Sequence, residues 1–233
     1  MATPNDNASA HPAHRYDAEI RPVIPFYDTI QTETLDLVRS VVPQPILWID
    51  TGCGTGSFVA RALPLFPRTR YILADPSNAM LTQARNRLEA APAEAVTILP
   101  AMTSDSLSSV EPKLRVQVVT AMLCHHYMEP AVRLAAVRSC YEILDPGGVL
   151  IVVENVDCES THGREIGLRR WGEYQLHAGR EPEAVDQHLA RFGTELKPIR
   201  ITEHFAVFRE AGFTTTEIFW RAQMQAGFYA VKE

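Results

Sequence analysis

The 233-residue chain has no apolar run approaching the roughly 20 residues that span a bilayer, so no membrane partner is expected. Cysteine is scarce: Cys53, Cys124, Cys140 and Cys158 are the only four, and no two stand at CxxC spacing. That excludes a disulfide framework and suits buried thiols in a reducing, cytoplasmic compartment. Residues Met1–Arg15 lack the apolar stretch of a secretory leader. They are small and polar, contain Pro4 and Pro12, and read as a mobile tail outside the fold. Basic clustering is missing too. The 22 Lys and Arg residues are scattered and the net charge is −6, which disfavours nucleic acid as a partner because tight polyanion binding needs a basic face. No internal repeat is visible.

Core material is present, with 46% of residues hydrophobic, enough for one α/β domain of this length. Apolar runs at Ile46–Asp50, Tyr71–Ala74, Val96–Leu99, Val116–Ala121 and Val149–Val153 are near-continuous, as strands buried on both faces must be. Helical stretches separate them. Ser77 suits the N-cap of a helix presenting Met80, Leu81, Ala84 and Leu88. Pro130 suits the first turn of another, with Leu134, Val137, Tyr141 and Leu144 at helical spacing, stopped by Asp145-Pro146-Gly147-Gly148. This alternation predicts a parallel sheet with right-handed crossovers. Residues 155–202 are polar and helix-prone, and read as a helical insertion that either adds a layer or covers a site. A last helix from about Glu203 to Ala211 ends at Gly212. Runs at Thr214–Arg221 and Gly227–Val231, linked through Ala222–Ala226, predict antiparallel pairing because the link is short. The expected fold is a Rossmann-like, mostly parallel sheet of seven strands with one antiparallel strand near its edge and helices on both faces, within one domain over residues 16–233.

The strongest feature is Ile46-Leu47-Trp48-Ile49-Asp50-Thr51-Gly52-Cys53-Gly54-Thr55-Gly56, a buried strand running into three alternate glycines and then a helix. Glycine permits positive φ and close approach of the backbone to a ligand, and the following helix offers free N–H groups. Asp50 ends the strand, where doubly wound sheets bind ligands. Nineteen positions after Gly56 stands Asp75, placed to accept hydrogen bonds from ribose hydroxyls. Two carboxylates around a glycine turn suit a ligand with a ribose and a cationic end, and would repel a pyrophosphate. A dinucleotide motif of the form G-x-G-x-x-G also fails here, because its third glycine falls on Ser57.

Residues 46–56 resemble motif I of the class I methyltransferases that use S-adenosylmethionine (SAM), and Asp75 resembles their ribose-binding acid. Asp75-Pro76-Ser77-Asn78-Ala79-Met80-Leu81, Leu144-Asp145-Pro146-Gly147-Gly148 and Glu210-Ala211-Gly212-Phe213 are similar to later motifs of the family, in the same order, so that the likeness spans about residues 15–231. Within the family the chain looks most like the small ubiquinone-biosynthesis-like and carboxy-SAM-synthase-like enzymes. The resemblance implies SAM as cofactor, held by Asp50, Gly52, Cys53, Gly54, Gly56, Asp75, Pro76, Met80, Ala101, Met102 and Ala121. It also implies a helical cap over residues 16–45, in which Tyr16 and Arg21 would contact the carboxylate end of SAM or the acceptor. Two positions depart from the family pattern. Pro100-Ala101-Met102-Thr103 lacks the usual acid near the adenine, and Gln117 replaces an Asp at the fourth strand.

SAM already carries a good electrophile, so the protein must chiefly orient a nucleophile and exclude water. A base helps only with some acceptors. His125 and His126 follow the fourth strand and are candidates for a base or an acceptor contact. Adjacent side chains in an extended segment point apart, so they are not a metal pair, and no metal site is expected. Tyr27, Glu154 and Trp171 complete the candidate acceptor pocket. The expected activity is methyl transfer by in-line displacement to a small-molecule acceptor, with a homodimer as one assembly. Two alternatives stay open: a SAM-modifying enzyme of the carboxy-SAM synthase type, for which Arg21, Arg170 or Arg221 would supply the needed cation, and a non-catalytic SAM-binding module.

Overall fold

The computed structural model describes Asp6, residues 8–110 and residues 115–233. Two helices come first, α1 (Tyr16–Glu19) and α2 (Tyr27–Val41). The alternating core follows: β1 (Leu47–Thr51), α3 (Ser57–Ala62), β2 (Arg70–Ala74), α4 (Asn78–Arg87), β3 (Val96–Ile98), β4 (Val116–Met122), α5 (Pro130–Ile143) and β5 (Leu144–Asp157). Then come α6 (Thr161–His177), α7 (Pro182–Ala190), the short β6 (Ile199–Arg200), α8 (Ile201–Ala211), β7 (Thr215–Ala222) and β8 (Gln225–Val231).

The sheet order is β3-β2-β1-β4-β5-β8-β7, with β6 pairing on the far end of β5. Strands β1 to β5 pair in parallel, and β8 runs against both of its neighbours. A seven-strand path with one reversed strand was the expectation. The two-residue β6 is an addition too short to show in a hydropathy pattern.

Burial on both faces explains the continuous apolar runs. All five residues of β1 are buried, and the pleat sends them alternately to two cores. Trp48 points to one side, among Phe58, Phe66 and Tyr71, with Leu35 and Val38 of α2. Its Nε1–H donates to Thr120 Oγ1 at 3.0 Å, satisfying the one polar atom that this burial takes from water. Ile49 points to the other side, where Val137 of α5 and Phe208 of α8 join Phe213 and Phe228. A third cluster lies beyond the carboxyl edge of the sheet, where Ile20, Ile24 and Tyr27 pack with Leu123, Trp171 and Met224. It joins the N-terminal helices to α6.

Local chemistry sets the boundaries. Ser77 Oγ accepts from Met80 N–H at 3.0 Å and caps α4. Pro130 starts α5. Gly212 ends α8 at φ +116°, where a Cβ would lie 2.9 Å from the Tyr141 ring. Residues 145–148 do more than stop a helix: β5 already begins at Leu144, and this tetrapeptide bulges out where the β4 register shifts between Val116 and Val118. Gln117 takes a structural part, its Oε1 accepting from Ile46 N–H ahead of β1.

The segment expected to be a tail behaves differently wherever it is described. His11 and Ala13 are buried, and His11 Nδ1 lies 2.9 Å from Glu19 Oε2. Asp6 sits on the start of α4, accepting from Asn78 N–H at 2.9 Å. Short polar sequence carries no periodic signal, so packing of this kind is invisible to pattern reading. Residues 1–5 and 7 lie outside the described residues. No helix among the described residues is long and apolar enough to cross a membrane.

Candidate active site

The glycine loop turns sharply at the carboxyl end of β1. Gly52, Gly54 and Gly56 all lie at positive φ, +62°, +55° and +71°, where side chains are strained. Their roles differ. A Cβ on Gly52 would collide with Cys124 at 2.4 Å, and one on Gly56 would press on Ala84 and Leu88 at 3.2 Å, whereas one on Gly54 would meet nothing within 4 Å. Gly52 and Gly56 therefore let protein pack on the loop, while Gly54 leaves open space.

That space is a cavity of about 220 Å³ on the Asp75 side of the loop and a narrow extension of about 30 Å³ on the Asp50 side. Gly52, Gly54, Tyr16, Met122 and Leu123 line both. On the larger side, Asp75 Oδ2 accepts from Gly54 N–H at 2.9 Å and Oδ1 from Ser77 N–H at 2.8 Å. A carboxylate offers about four acceptor sites, so capacity remains toward the cavity. Burial raises the Asp75 carboxyl against the pull of those two N–H groups. On the narrow side, Asp50 Oδ1 accepts from Thr120 Oγ1 at 2.6 Å, while Oδ2 has no partner among the described residues. Burial pushes Asp50 up to about 7; the Thr120 bond opposes the shift and the nearby Asp75 charge adds to it.

Two acids and no lysine or arginine line the hollow. Its other titratable groups stay neutral near pH 7: burial pushes the Tyr16 hydroxyl and the Cys124 thiol well above their ordinary values and Tyr127 up to about 12. The N-terminal segment closes the roof. Ala8 and Ser9 border the larger cavity. Asp17 of α1 accepts from Thr55 Oγ1 at 2.8 Å and pairs with Arg87 of α4, which ties α1 to both sides of the loop.

Of the sequence-predicted residues, Tyr16, Gly52, Gly54, Asp75, Pro76 and Met80 line the larger cavity, and Asp50, Cys53 and Tyr27 line the extension. Others are placed elsewhere. Arg21 is on the outer surface, its Nε and Nη2 each 2.9 Å from the Asp28 carboxylate, so it is not aimed at the loop. Ala121 is fully buried in the sheet core because β4 runs one residue further than expected, to Met122. Ala101 and Met102 fall just outside the lining, where Thr103 takes their place; Met102 N–H donates to Asp75 O at 3.1 Å instead.

The acceptor-pocket group differs most. His125 and His126 are buried at 1% and 3% exposure and Glu154 at 0%, and none borders the hollow. Residues 125–127 form a 3₁₀ turn, not an extended segment, which folds both rings inward. Glu154 clamps that turn: its oxygens accept from His125 N–H at 3.0 Å, from His126 N–H at 2.7 Å and from His126 Nδ1 at 2.6 Å. Burial alone would raise the Glu154 carboxyl, but the facing His126 charge and hydrogen bond outweigh it and hold the group below the usual carboxylate range. Burial lowers His125. Trp171 is fully buried and donates from Nε1 to Val23 O at 2.7 Å, packing α6 onto the N-terminal segment rather than facing a pocket.

Sequence reasoning missed Leu123, Cys124, Tyr127 and Met128, which wall the cavity beyond β4. Leu123 sits at φ +57°, uncommon for a bulky side chain, and its N–H donates to Val153 O at 2.7 Å. The strained step turns the chain off β4 and across the glycine loop. No local composition signals it.

A strand, glycine loop, helix and second-strand acid around a hollow at a sheet switch point define a nucleoside-binding α/β fold. Residues 49–150 match the family model of the methyltransferase domain. The chain is 23% identical to the carboxy-S-adenosyl-L-methionine synthase of Methylococcus capsulatus, covering 93% of this chain and 89% of the relative. It is 27% identical to the synthase of the same name from Wolinella succinogenes, over 93% and 89%. Among solved structures, an O-methyltransferase family protein from Burkholderia thailandensis superposes with TM-score 0.63 at 14% identity, covering 87% of this chain and 56% of that one. Human N-acetylserotonin methyltransferase in complex with SAM gives 0.58 at 16%, over 97% and 60%. The chain thus spans little more than half the length of these two structures. Residues 49–150 are thus similar to a methyltransferase domain, and the fold is shared with methyltransferases of the class I SAM-dependent type.

Proposed function

We propose that the chain moves a methyl group from SAM to a small-molecule acceptor that brings its own nucleophilicity. The observation that carries this reading is the composition of the hollow: two buried acids flank the glycine loop, while no lysine, arginine or histidine lines it. The residues fit SAM. Asp75 has free acceptor capacity for ribose hydroxyls, and the unpartnered Asp50 Oδ2 suits the ammonium of the methionine part. Gly54 leaves room for the ligand between them. Bound SAM supplies an electrophilic methyl next to a sulfonium. The acceptor's lone pair would form the new bond as the sulfur–methyl bond breaks, sulfur would keep the bonding pair, and any proton the acceptor carries would pass to water. Tyr16, Leu123 and Met128 contribute walls that exclude water and hold the acceptor in line. With Asp50 and Asp75 engaged by SAM, the neutral tyrosines and the neutral thiol that remain supply no base, so the acceptor must be reactive without one.

A second reading, synthesis of carboxy-SAM, is favoured by the names of the relatives. It needs a cation for the added carboxylate, and Arg21 is committed to Asp28, while Arg170 and Arg221 border a different cleft. Mass spectrometry of the nucleoside that co-purifies with the protein separates the two. Unmodified SAM or its demethylated product, with labelled methyl passing to a component of a small-molecule extract, supports methyl transfer; a carboxylated SAM overturns it. The acidic net charge and four free thiols support a cytoplasmic enzyme without a nucleic-acid partner. The insertion over residues 155–202 acts in this reading as a support for the roof, since α6 holds Val23 through Trp171 and Arg21 O through Tyr174 at 3.1 Å.

A further inference from the structure

A cleft of about 510 Å³ lies between α6, the start of α8 and the β7–β8 turn, and shares no lining residue with the hollow at the glycine loop. Its walls combine apolar side chains with charged and polar ones. Ile166 and Ile218, both among the few large apolar side chains left 37% exposed, face into it with Met224 at its base. Arg170 of α6 and Arg221 of β7 stand at its rim. Neither guanidinium has an ion pair or hydrogen-bond partner among the described residues. Two acids share the lining with them, and neither engages these arginines: Asp157 pairs with Arg164, and Glu159 accepts from Thr202 Oγ1 at 3.2 Å.

Two further features mark this as a shaped place. Gly167 lies mid-helix in α6, where glycine is unfavourable, and a Cβ there would meet Met224 Sδ at 2.4 Å. The glycine lets α6 close on the strand turn while leaving the hollow beside it. In that turn Gln223, another lining residue, sits at φ +48° with a buried Oε1 that receives no hydrogen bond. Non-glycine residues in the left-handed region cluster where a site over-determines the backbone.

Two guanidiniums that no acid of the lining engages match a carboxylate or phosphate, and the isoleucine walls match a hydrocarbon or aromatic body. We propose that this cleft is a second binding site, for a small anionic amphipath whose head group Arg170 and Arg221 hold. It does not depend on which reaction the cofactor site performs. The test is calorimetric titration of the whole protein with octanoate, octyl phosphate and neutral octanol. Either anion should bind in the millimolar range or better and octanol should not, and the stronger of the two anions identifies the head group. The Arg170→Gln and Arg221→Gln variants should each weaken that anion, and the double variant should lose roughly tenfold or more, as expected for charge-assisted hydrogen bonds. Both side chains are exposed, so the variants should keep wild-type affinity for demethylated SAM. The proposal is overturned if neither anion binds, if octanol binds equally well, or if the double variant binds the anion as wild type does. It is also overturned if the wild type is a dimer that the double variant dissociates, because the arginines then serve a second copy of the chain.

Discussion

Gly54→Ala separates folding from cofactor binding. Gly54 sits at φ +55°, so alanine there carries the left-handed penalty of about 1–2 kcal/mol. No packing cost adds to it, since a Cβ meets no protein atom within 4 Å. At about 2–4 °C per kcal/mol for a chain of this length, Tm should fall by about 2–8 °C. The open space beside Gly54 is the hollow itself, so the new methyl stands where SAM is proposed to lie. Affinity for demethylated SAM should drop by roughly tenfold or more, equivalent to about 1.4 kcal/mol. Gly56→Ala is the control. It shares the positive φ, at +71°, but its Cβ presses on Ala84 and Leu88 at 3.2 Å and lines neither part of the hollow. It should lose more stability than Gly54→Ala yet bind within about twofold of wild type once the folded fraction is allowed for. Calorimetry at a temperature where all three proteins are folded gives both numbers. Undiminished affinity in Gly54→Ala, or a loss confined to Gly56→Ala, would refute the cradle.

Asp75→Ala removes the acceptor for Gly54 and Ser77 N–H and should cut demethylated-SAM affinity at least roughly tenfold, seen as a smaller ligand-induced rise in Tm. Asp50 has its carboxyl raised to about 7. A raised acid binds more protons folded than unfolded, so its contribution to apoprotein stability is full below about pH 4 and lost as pH climbs through about 7. Cofactor affinity should move oppositely, strengthening as Asp50 ionises, and Asp50→Asn should flatten both profiles; a wild-type profile unchanged by that substitution removes Asp50 from the site. Glu154 is lowered, so its contribution is present above the unfolded carboxylate range and lost as pH falls. Urea midpoints at about pH 4 and about pH 7 should therefore converge in Glu154→Gln relative to wild type. Trp171→Phe strands Val23 O and should cost about 1–3 kcal/mol in denaturant titration.

The frame was legible in the sequence because it rests on signals of short range. Continuous apolar runs such as Leu47–Ile49 and Val118–Ala121 can only be strands buried twice over, and the glycines between Asp50 and Ser57 announce a turn at a strand end. The same holds for Asp75, whose distance from the loop is set by one intervening helix. Illegible parts depend on contacts between distant segments. Arg21 carries a cation at a plausible position, but Asp28 seven residues on takes it. The wall from Leu123 to Met128 arises from one strained residue and a carboxylate on the neighbouring strand. The packing of Ala8 to Ala13 over the loop rests on Asp6 and on the His11–Glu19 pair, which no periodicity encodes.

The paired histidines are better understood as scaffold than as chemistry. A proton-transfer role needs a ring nitrogen open to the reacting atoms, yet His126 Nδ1 is spent on Glu154, and its Nε2 lies 3.3 Å from Asn155 Nδ2, whose own amide oxygen accepts from Gln225 at 2.9 Å. His125 Nε2 lies 3.1 Å from Ser104 Oγ, and its Nδ1, though without a hydrogen-bond partner, is buried away from the lining of the hollow. The chain from Gln225 through Asn155 and His126 to Glu154 crosses from β8 to β5 to the turn after β4. A buried carboxylate is costly unless paired and bonded. Here it is satisfied by two backbone N–H groups and one imidazole, and that satisfaction exists only when the turn is folded. Glu154 thereby fixes where residues 127 and 128 emerge into the cavity. The site's shape is set from beneath by a polar network that borders neither part of the hollow, which is why residues of catalytic type sit beside it without lining it.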